Sequence, residues 1–129
     1  STAILHKDDD GQEQYASWHY RSVIGKLNYL EKCTRGKIAY AVHQCGRFCE
    51  NPKVLHTEAV HHIVKYLMGT RDEGIILDPT KDVFECYADA DFCGLWNRDT
   101  ATEDPSTTKS QTGYLISFVK CLILWASKL

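Results

Sequence analysis

Apolar side chains in the first half of the chain recur at steps of three and four residues, which places them on one face of an α-helix. This period predicts three helices. The first spans residues 20–33, and the second begins at Ile38 and is stopped by Pro52. The third begins near Thr57, its predicted N-cap, and ends around Gly69. Together they predict a three-helix unit.

Short runs of β-forming residues replace the helical period in the second half of the chain. The strands are predicted at residues 74–77, 83–88, 113–119 and 122–127. A polar stretch at 97–110, which contains Pro105, predicts a long turn between the second and third strands. Such connections favour antiparallel pairing. The predicted fold class is therefore α+β, with a three-helix N-terminal unit followed by an antiparallel meander.

Charge divides the chain into three parts, and the boundary near residue 71 is also where the helical period ends. Residues 1–19 are predicted to be a polar linker with a net charge of −3, the helical segment 20–71 carries +6, and residues 72–129 carry −5. A basic segment beside an acidic one can bind a phosphate backbone with the first and metal ions with the second. Net charges of this size are also ordinary for solvated surfaces, and this interpretation stays open.

Length and composition describe one small domain that can bury a core. The chain has 129 residues, 43% of them hydrophobic, and a net charge of −2. No run approaches the ~20 apolar residues of a membrane-spanning helix, and the first fifteen residues do not resemble a secretion signal. We therefore expect a soluble, intracellular protein, cytoplasmic or nuclear, with no membrane partner. The six cysteines form no C-x-x-C pair and are predicted to be free thiols.

The segment 84–94, FECYADADFCG, carries the most informative chemistry. Alternation along a strand places Tyr87 and Asp89 on one face, and Asp91 joins them if the strand extends that far. Clustered carboxylates repel each other unless a cation, a proton or solvent compensates, and Mg²⁺ is a natural partner for oxygen ligands. A solvated turn after a strand is the alternative interpretation.

Six segments in this order resemble one known family. They read YRSVIGKLNYL, IAYAVHQCGRF, NPKVLHTEAVHHIVKYLMGT, YADADFCG, SQTGYLISF and LILWASKL. They resemble the Pol polyprotein of copia-type LTR retrotransposons, from the end of the reverse transcriptase into the ribonuclease H domain, and the resemblance covers the chain from about Tyr20 onward. It implies that the helices are thumb and connection elements and that the meander is the opening part of an incomplete ribonuclease H-like fold.

The resemblance also implies site residues. Asp89 corresponds to the first metal-binding aspartate of the nuclease, and Asp91 is a less certain ligand. Ribonuclease H cleaves the RNA strand of an RNA/DNA hybrid with two Mg²⁺ ions held by four carboxylates. In the family the other ligands follow the SKL segment, beyond Leu129. The complete parent would use Mg²⁺, whereas this chain alone is expected to be catalytically inactive and to bind the ion weakly.

The chain departs from the family pattern at several positions. The polymerase motif with two adjacent aspartates after a tyrosine is absent, and the acidic residues 8–10 are interpreted as a solvated turn. Gly36 and Lys37 stand where the family usually has proline and aspartate. Lys120 and Leu122 replace a typical glycine and proline, so the turn between the last two strands is expected to be altered.

Basic side chains of the helical segment are candidates for contact with nucleic acid, because lysine and arginine displace the counterions of a phosphate backbone. The candidates are Arg21, Lys26, Arg35, Lys37, Arg47 and Lys65. A solvated helix surface explains them about as well, and the family resemblance favours binding. The expected partners are an RNA/DNA hybrid or template-primer and the remainder of the Pol polyprotein.

Two alternatives belong to other functional classes. The chain could be a noncatalytic remnant or interaction module without a nucleic-acid substrate. It could also be a zinc-binding helical module, since four histidines and two cysteines lie within twenty residues. Cys45 and Cys49, however, fall on the predicted apolar face, which favours packing in the core over metal binding.

Overall fold

Three α-helices and a three-stranded antiparallel sheet make up the fold in a computed structural model. The structure describes residues 5, 7, 10–12, 17–80, 82–94, 96, 98–99, 102 and 105–128. The helices are α1 (Tyr20–Cys33), α2 (Ala39–Gly46) and α3 (Val54–Gly69), and the strands are β1 (Phe84–Ala90), β2 (Thr112–Phe118) and β3 (Cys121–Lys128). Short 3₁₀ turns cover Gly36–Ile38 and Pro105–Thr108. The predicted α+β class is confirmed.

The core lies where the three helices meet. Ile24 of α1, Val42 and Cys45 of α2, and Val60 of α3 are all buried there. The Tyr20 hydroxyl donates a hydrogen bond to the Cys45 carbonyl oxygen at 2.9 Å, which joins α1 to α2. Burial raises the pKa of the Cys45 thiol to about 11, so the thiol stays protonated and is poorly suited to bind zinc.

Parts of the predicted linker belong to the same core. Leu5 is buried in it, and Trp18 packs against it while stacking on Tyr20 with ring centroids 6.0 Å apart. The Val54 amide donates to the Gln12 carbonyl at 3.1 Å, at the first residue of α3. One or two apolar residues in a polar stretch give no periodic signal, so the sequence did not predict this packing. Asp10 and Gly11 lie in a turn, and Asp8 and Asp9 lie outside the described residues.

The predicted start of α3 at Thr57 is wrong. The helix begins at Val54, and the Lys53 amide donates to His56 Nδ1 at 3.0 Å. The buried His56 ring also stacks on Phe48 at 4.1 Å between centroids. Lys53 is therefore the N-cap residue of α3, and the His56 side chain, at the third helical position, accepts a hydrogen bond from its amide. Thr57 lies within the helix, where its hydroxyl donates to the Lys53 carbonyl oxygen at 3.3 Å.

The predicted strand at residues 74–77 is also wrong. These residues are exposed and form no strand; Ile76 is 87% exposed. A strand needs a neighbour for its backbone hydrogen bonds, and the sheet order β1-β2-β3 provides none for this segment. The three other predicted strands are confirmed, because each has a partner in an antiparallel ladder.

The β2–β3 hairpin forms although Lys120 replaces the family's typical glycine. Val119 and Lys120 connect the strands with φ angles of 54° and 67°, the left-handed backbone of a two-residue type I′ turn. Lys120 Nζ lies 2.7 Å from Glu85 Oε1 on β1. This ion pair holds the strained turn against the neighbouring strand.

The sheet is fixed to the helices through Trp125 of β3. Its indole Nε1 donates to the Glu31 carbonyl oxygen of α1 at 2.8 Å. A Cβ atom at Gly36 would lie 2.7 Å from atoms of the indole ring, so only glycine allows this approach. Gln44 of α2 adds a second link, donating to Gln111 Oε1 at 3.0 Å. Gly36, where the family usually has proline, is therefore in close contact with Trp125.

We expect Gly36→Ala to destabilise the protein by about 1–3 kcal/mol, because the added methyl group displaces the indole of Trp125. Urea unfolding followed by tryptophan fluorescence measures the change. Gly69→Ala at the end of α3 is the matched control, since no atom lies within 4 Å of its added Cβ. Equal stability of the two variants would contradict the packing described here.

Candidate functional site

Asp89 lies near the end of β1 on an open part of the sheet. Its side chain is exposed, and its partner across the ladder on β2 is Gly113. Cross-strand partners share a face of the sheet, so the missing side chain at Gly113 leaves space beside the carboxylate. This placement agrees with the sequence prediction that Asp89 is presented at a strand end.

Asp91 has a different environment from Asp89. The strand ends at Ala90, so the common face that required a longer strand does not extend to Asp91. The Asp91 amide donates to the Gln111 carbonyl at 2.9 Å, and its carboxylate lies so close to Gly94 that a Cβ there would overlap it. Within the described part of the chain, no three histidine, cysteine or acidic side chains cluster closely enough to hold a metal ion.

The Asp89 carboxylate alone can still contribute to one kind of metal site. Mg²⁺ often binds proteins through one or two carboxylates, with water and substrate phosphates as its other ligands. Asp89 is exposed beside an open position and offers the hard oxygen atoms that such an ion needs. The residues present therefore fit a partial magnesium site, to which Asp89 would contribute directly.

A cleft lined by basic side chains lies between the helices and the sheet. It has a volume of about 740 Å³, and its walls come from α1, α2 and β3. Five lysine and arginine side chains and one histidine line it: Arg21, Lys32, Arg47, Lys109, Lys128 and His43. Glu31 is the single acidic residue among its described lining residues, and burial raises the pKa of that carboxyl group. The cleft is consequently strongly electropositive.

The guanidinium group of Arg47 is held in place on the cleft wall. Its Nη1 donates to Gln44 Oε1 at 3.1 Å, and its Cζ lies 5.3 Å from the centre of the Phe48 ring. Gln44 in turn bonds Gln111, whose side-chain amide donates to Ser127 Oγ at 2.6 Å. One network therefore orients the arginine and joins both walls of the cleft.

The structure separates the predicted nucleic-acid-binding residues into two groups. Arg21 and Arg47 line the cleft. Arg35 instead donates to the carbonyl oxygens of Thr70 and Arg71, at 2.6 and 3.2 Å, and so links the turn after α1 to the end of α3. The other three are exposed and do not line the cleft: Lys26, Lys37 and Lys65. Lys37 forms an exposed ion pair with Glu73 at 3.5 Å.

Four basic side chains that line the cleft were not among the nucleic-acid-binding residues predicted from the sequence: Lys32, His43, Lys109 and Lys128. Lys32 lies eleven residues after Arg21, just over three helical turns, so it shares a face of α1 with it. His43 is related to Arg47, the C-cap residue of α2, by the i, i+4 spacing in the same way. This spacing was a usable signal. Lys109 and Lys128 lie far away in sequence, and only the packing of the sheet brings them to the cleft.

Comparisons with known proteins identify the family. The chain is 40% identical over 110 residues to the retrovirus-related Pol polyprotein from transposon TNT 1-94 of Nicotiana tabacum, covering 85% of the chain and 8% of that polyprotein. It is 34% and 32% identical over 110 residues to the corresponding polyproteins from transposons RE1 and RE2 of Arabidopsis thaliana, covering 84% of the chain and 7% of each. The chain belongs to the copia-type transposon Pol polyproteins.

This Pol segment spans less than a tenth of the length of the polyproteins that it matches. No model of a known protein family matches it, and no solved structure matches it. The relatives support an origin of the sequence in a retrotransposon Pol polyprotein. No helix in the described ranges is long and apolar enough to cross a bilayer.

His43 of the Pol segment lies in the cleft among positively charged side chains. Burial lowers the pKa of its imidazole, and the nearby cations Lys32 of α1 and Lys128 of β3 lower it further. The other charged lining groups are Arg21, Arg47, Lys109 and the buried Glu31. An anion in the cleft would offset this repulsion, so binding of an anion is coupled to protonation of His43.

We expect the pKa of His43 to lie below 6.5 in the free protein and to rise when inorganic polyphosphate is added. Imidazole NMR signals followed from pH 5 to 8 measure it. Lys128→Gln should raise the pKa of His43 in the free protein. A pKa that neither polyphosphate nor this substitution changes would contradict the proposed coupling.

Proposed function

We propose that this chain is the part of a copia-type Pol polyprotein that runs from the end of the reverse transcriptase into the start of ribonuclease H, and that it contacts an RNA/DNA hybrid. The observation that carries the proposal is the basic cleft, in which five permanent cations face one buried carboxyl group. Phosphate backbones bind such surfaces by releasing condensed counterions. Contacts of this type hold nucleic acid in position without reading its sequence.

The helices are the proposed thumb and connection elements, and the sheet is the proposed opening of a ribonuclease H-like domain. Three antiparallel strands in consecutive order, with an exposed aspartate on the first, support this assignment. Asp89 would hold a magnesium ion together with carboxylates from other parts of the polyprotein, and Asp91 could assist from the adjoining turn. When bound, the metal supplies activation of water and stabilisation of the leaving oxygen.

A noncatalytic remnant or interaction module is the alternative. It shares the same ancestry but has no nucleic-acid substrate. The two proposals differ in one measurable property. A chain that contacts an RNA/DNA hybrid through its cleft should bind it in a salt-dependent way, whereas a remnant without a nucleic-acid substrate should not. Binding measurements on the 129-residue chain therefore separate them.

We expect the purified chain to bind an RNA/DNA hybrid weakly and with strong salt dependence. With about four phosphate contacts, affinity should fall roughly 100-fold between 50 and 200 mM salt. Fluorescence anisotropy of a labelled hybrid measures this change. Affinity that stays constant over this range, or no binding at 50 mM salt, would contradict the proposal and favour the remnant.

In a Pol polyprotein that carries this segment, we expect Asp89→Asn to abolish magnesium-dependent cleavage of hybrid RNA while leaving hybrid binding unchanged. The substitution removes a charged metal ligand but retains the size of the side chain. Asp91→Asn should reduce cleavage less. Asp78→Asn is the control, since Asp78 is exposed in the loop before the sheet. A fully active Asp89→Asn polyprotein would refute the proposed role of this residue.

A further inference from the structure

We propose that Gln111 is a positioning residue for the carboxylate end of β1, through which the helices influence how firmly Asp89 is held. Gln111 directly precedes β2 and is not among the residues that line the cleft. Its backbone anchors the turn that follows β1, and its side chain is bonded to Gln44 of α2. The inference rests on the proposed function, because it concerns the aspartate proposed to bind magnesium.

The backbone of Gln111 extends the pairing of β1 with β2 by one residue. The ladder ends at the pair formed by Ala90 and Thr112. The next two residues, Asp91 and Gln111, face each other, and the Asp91 amide donates to the Gln111 carbonyl oxygen at 2.9 Å. This hydrogen bond lies two residues from Asp89 and fixes the backbone where the chain leaves the strand.

The turn after β1 has a second attachment to the segment that precedes β2. Cys93 has a left-handed backbone with a φ angle of 52°, and its thiol donates to the Thr108 carbonyl oxygen at 2.9 Å. The Trp96 amide closes the turn by donating to the Cys93 carbonyl at 2.8 Å. The turn is therefore held at two points, and Gln111 supplies the one nearer to Asp89.

The side-chain amide of Gln111 is bonded through both its oxygen and its nitrogen. Its Oε1 accepts from Gln44 Nε2 at 3.0 Å, and its Nε2 donates to Ser127 Oγ at 2.6 Å. Gln44 is buried, and its own Oε1 accepts from Arg47 Nη1 at 3.1 Å. Only one orientation of the two amides satisfies all three bonds, because arginine can only donate. A shift of α2 against the sheet must therefore break this chain of bonds or move Gln111.

Ser127 belongs to the same row of the sheet as Asp89. Asp89 is paired with Gly113, and Gly113 is paired with Ser127, so these three positions cross the sheet on one face. Gln111 lies two residues before Gly113 and shares this face, where it bonds Ser127. The Gln111 side chain thus borders the open position beside the Asp89 carboxylate.

The position of a carboxylate depends on how firmly its backbone is held. Loss of a group that orients a metal ligand typically costs about 10–100-fold in metal affinity or activity. Gln111 acts less directly, through the backbone at Asp91, so we expect a smaller effect of roughly threefold. Packing of the helices against the sheet thereby stabilises the position of Asp89.

The first test needs no metal and uses the 129-residue chain. Gln44→Met removes the amide at the helical end of the chain of bonds and keeps a side chain of similar length. We expect hydrogen exchange of the Asp91 amide to accelerate at least about threefold relative to that of Leu115 in the middle of β2, because its support loses one hydrogen bond. Backbone NMR measures both rates. Tyr20→Phe is the matched control, since it removes a buried hydrogen bond between α1 and α2 and should leave this ratio unchanged.

The second test uses a Pol polyprotein that carries this segment. Gln111→Met keeps the backbone carbonyl and removes the side-chain bonds, and we expect it to raise the Mg²⁺ concentration for half-maximal cleavage of hybrid RNA roughly threefold. Saturating Mg²⁺ should restore most of the cleavage rate, which a loss of folded protein would not allow. Tyr20→Phe should leave the half-maximal concentration unchanged. Circular dichroism checks that all variants keep the fold.

The outcomes separate this inference from the proposed function. If Gln44→Met changes the exchange ratio no more than Tyr20→Phe does, the positioning role is overturned. The same holds if Gln111→Met leaves the magnesium requirement unchanged. In both cases the proposed function stands as long as Asp89→Asn abolishes cleavage, whereas a fully active Asp89→Asn polyprotein overturns both. Faster exchange at Asp91 together with a raised magnesium requirement supports the inference.

Discussion

The contact of Trp125 with α1 and Gly36 determines how the two halves of this protein fit together. The indole donates to a backbone carbonyl of α1 and packs where any side chain at position 36 would collide with it. Together with the hydrogen bond from Gln44 to Gln111, this contact sets the angle at which the helices and the sheet meet. The cleft lies between the helices and the sheet, so its shape depends on this junction.

The same junction explains the electrostatics of the cleft. It brings Lys128 of β3 and Lys109 of the loop before β2 opposite the basic side chains of α1 and of the end of α2, although the second half of the chain is acidic as a whole. Like charges held close together destabilise the protein when no ligand is bound. Burial and this repulsion both lower the pKa of His43. Such an arrangement is compensated when an anion binds.

The sequence predicted what depends on local pattern. The span of α1, the three paired strands and the exposed aspartate of β1 all followed from periodicity or alternation. It failed where tertiary contacts decide the outcome. Residues 74–77 have the composition of a strand but no partner, and α3 begins at Val54 rather than near Thr57, with a local hydrogen bond between Lys53 and His56 that composition does not reveal. Of the six predicted nucleic-acid contacts, Arg21 and Arg47 reach the cleft, whereas Arg35 joins the turn after α1 to the segment after α3.

The central claim is that nucleic acid binds between the helices and the sheet, against both walls at once. Backbone amide NMR during titration with a short RNA/DNA hybrid oligonucleotide tests it most directly. The account predicts that the amide signals of Gly25, Gly46 and Ser127, which lie on the two walls, shift together and saturate at the same oligonucleotide concentration. Shifts confined to one wall, or centred on the exposed surface of α3 around Lys65, would contradict it.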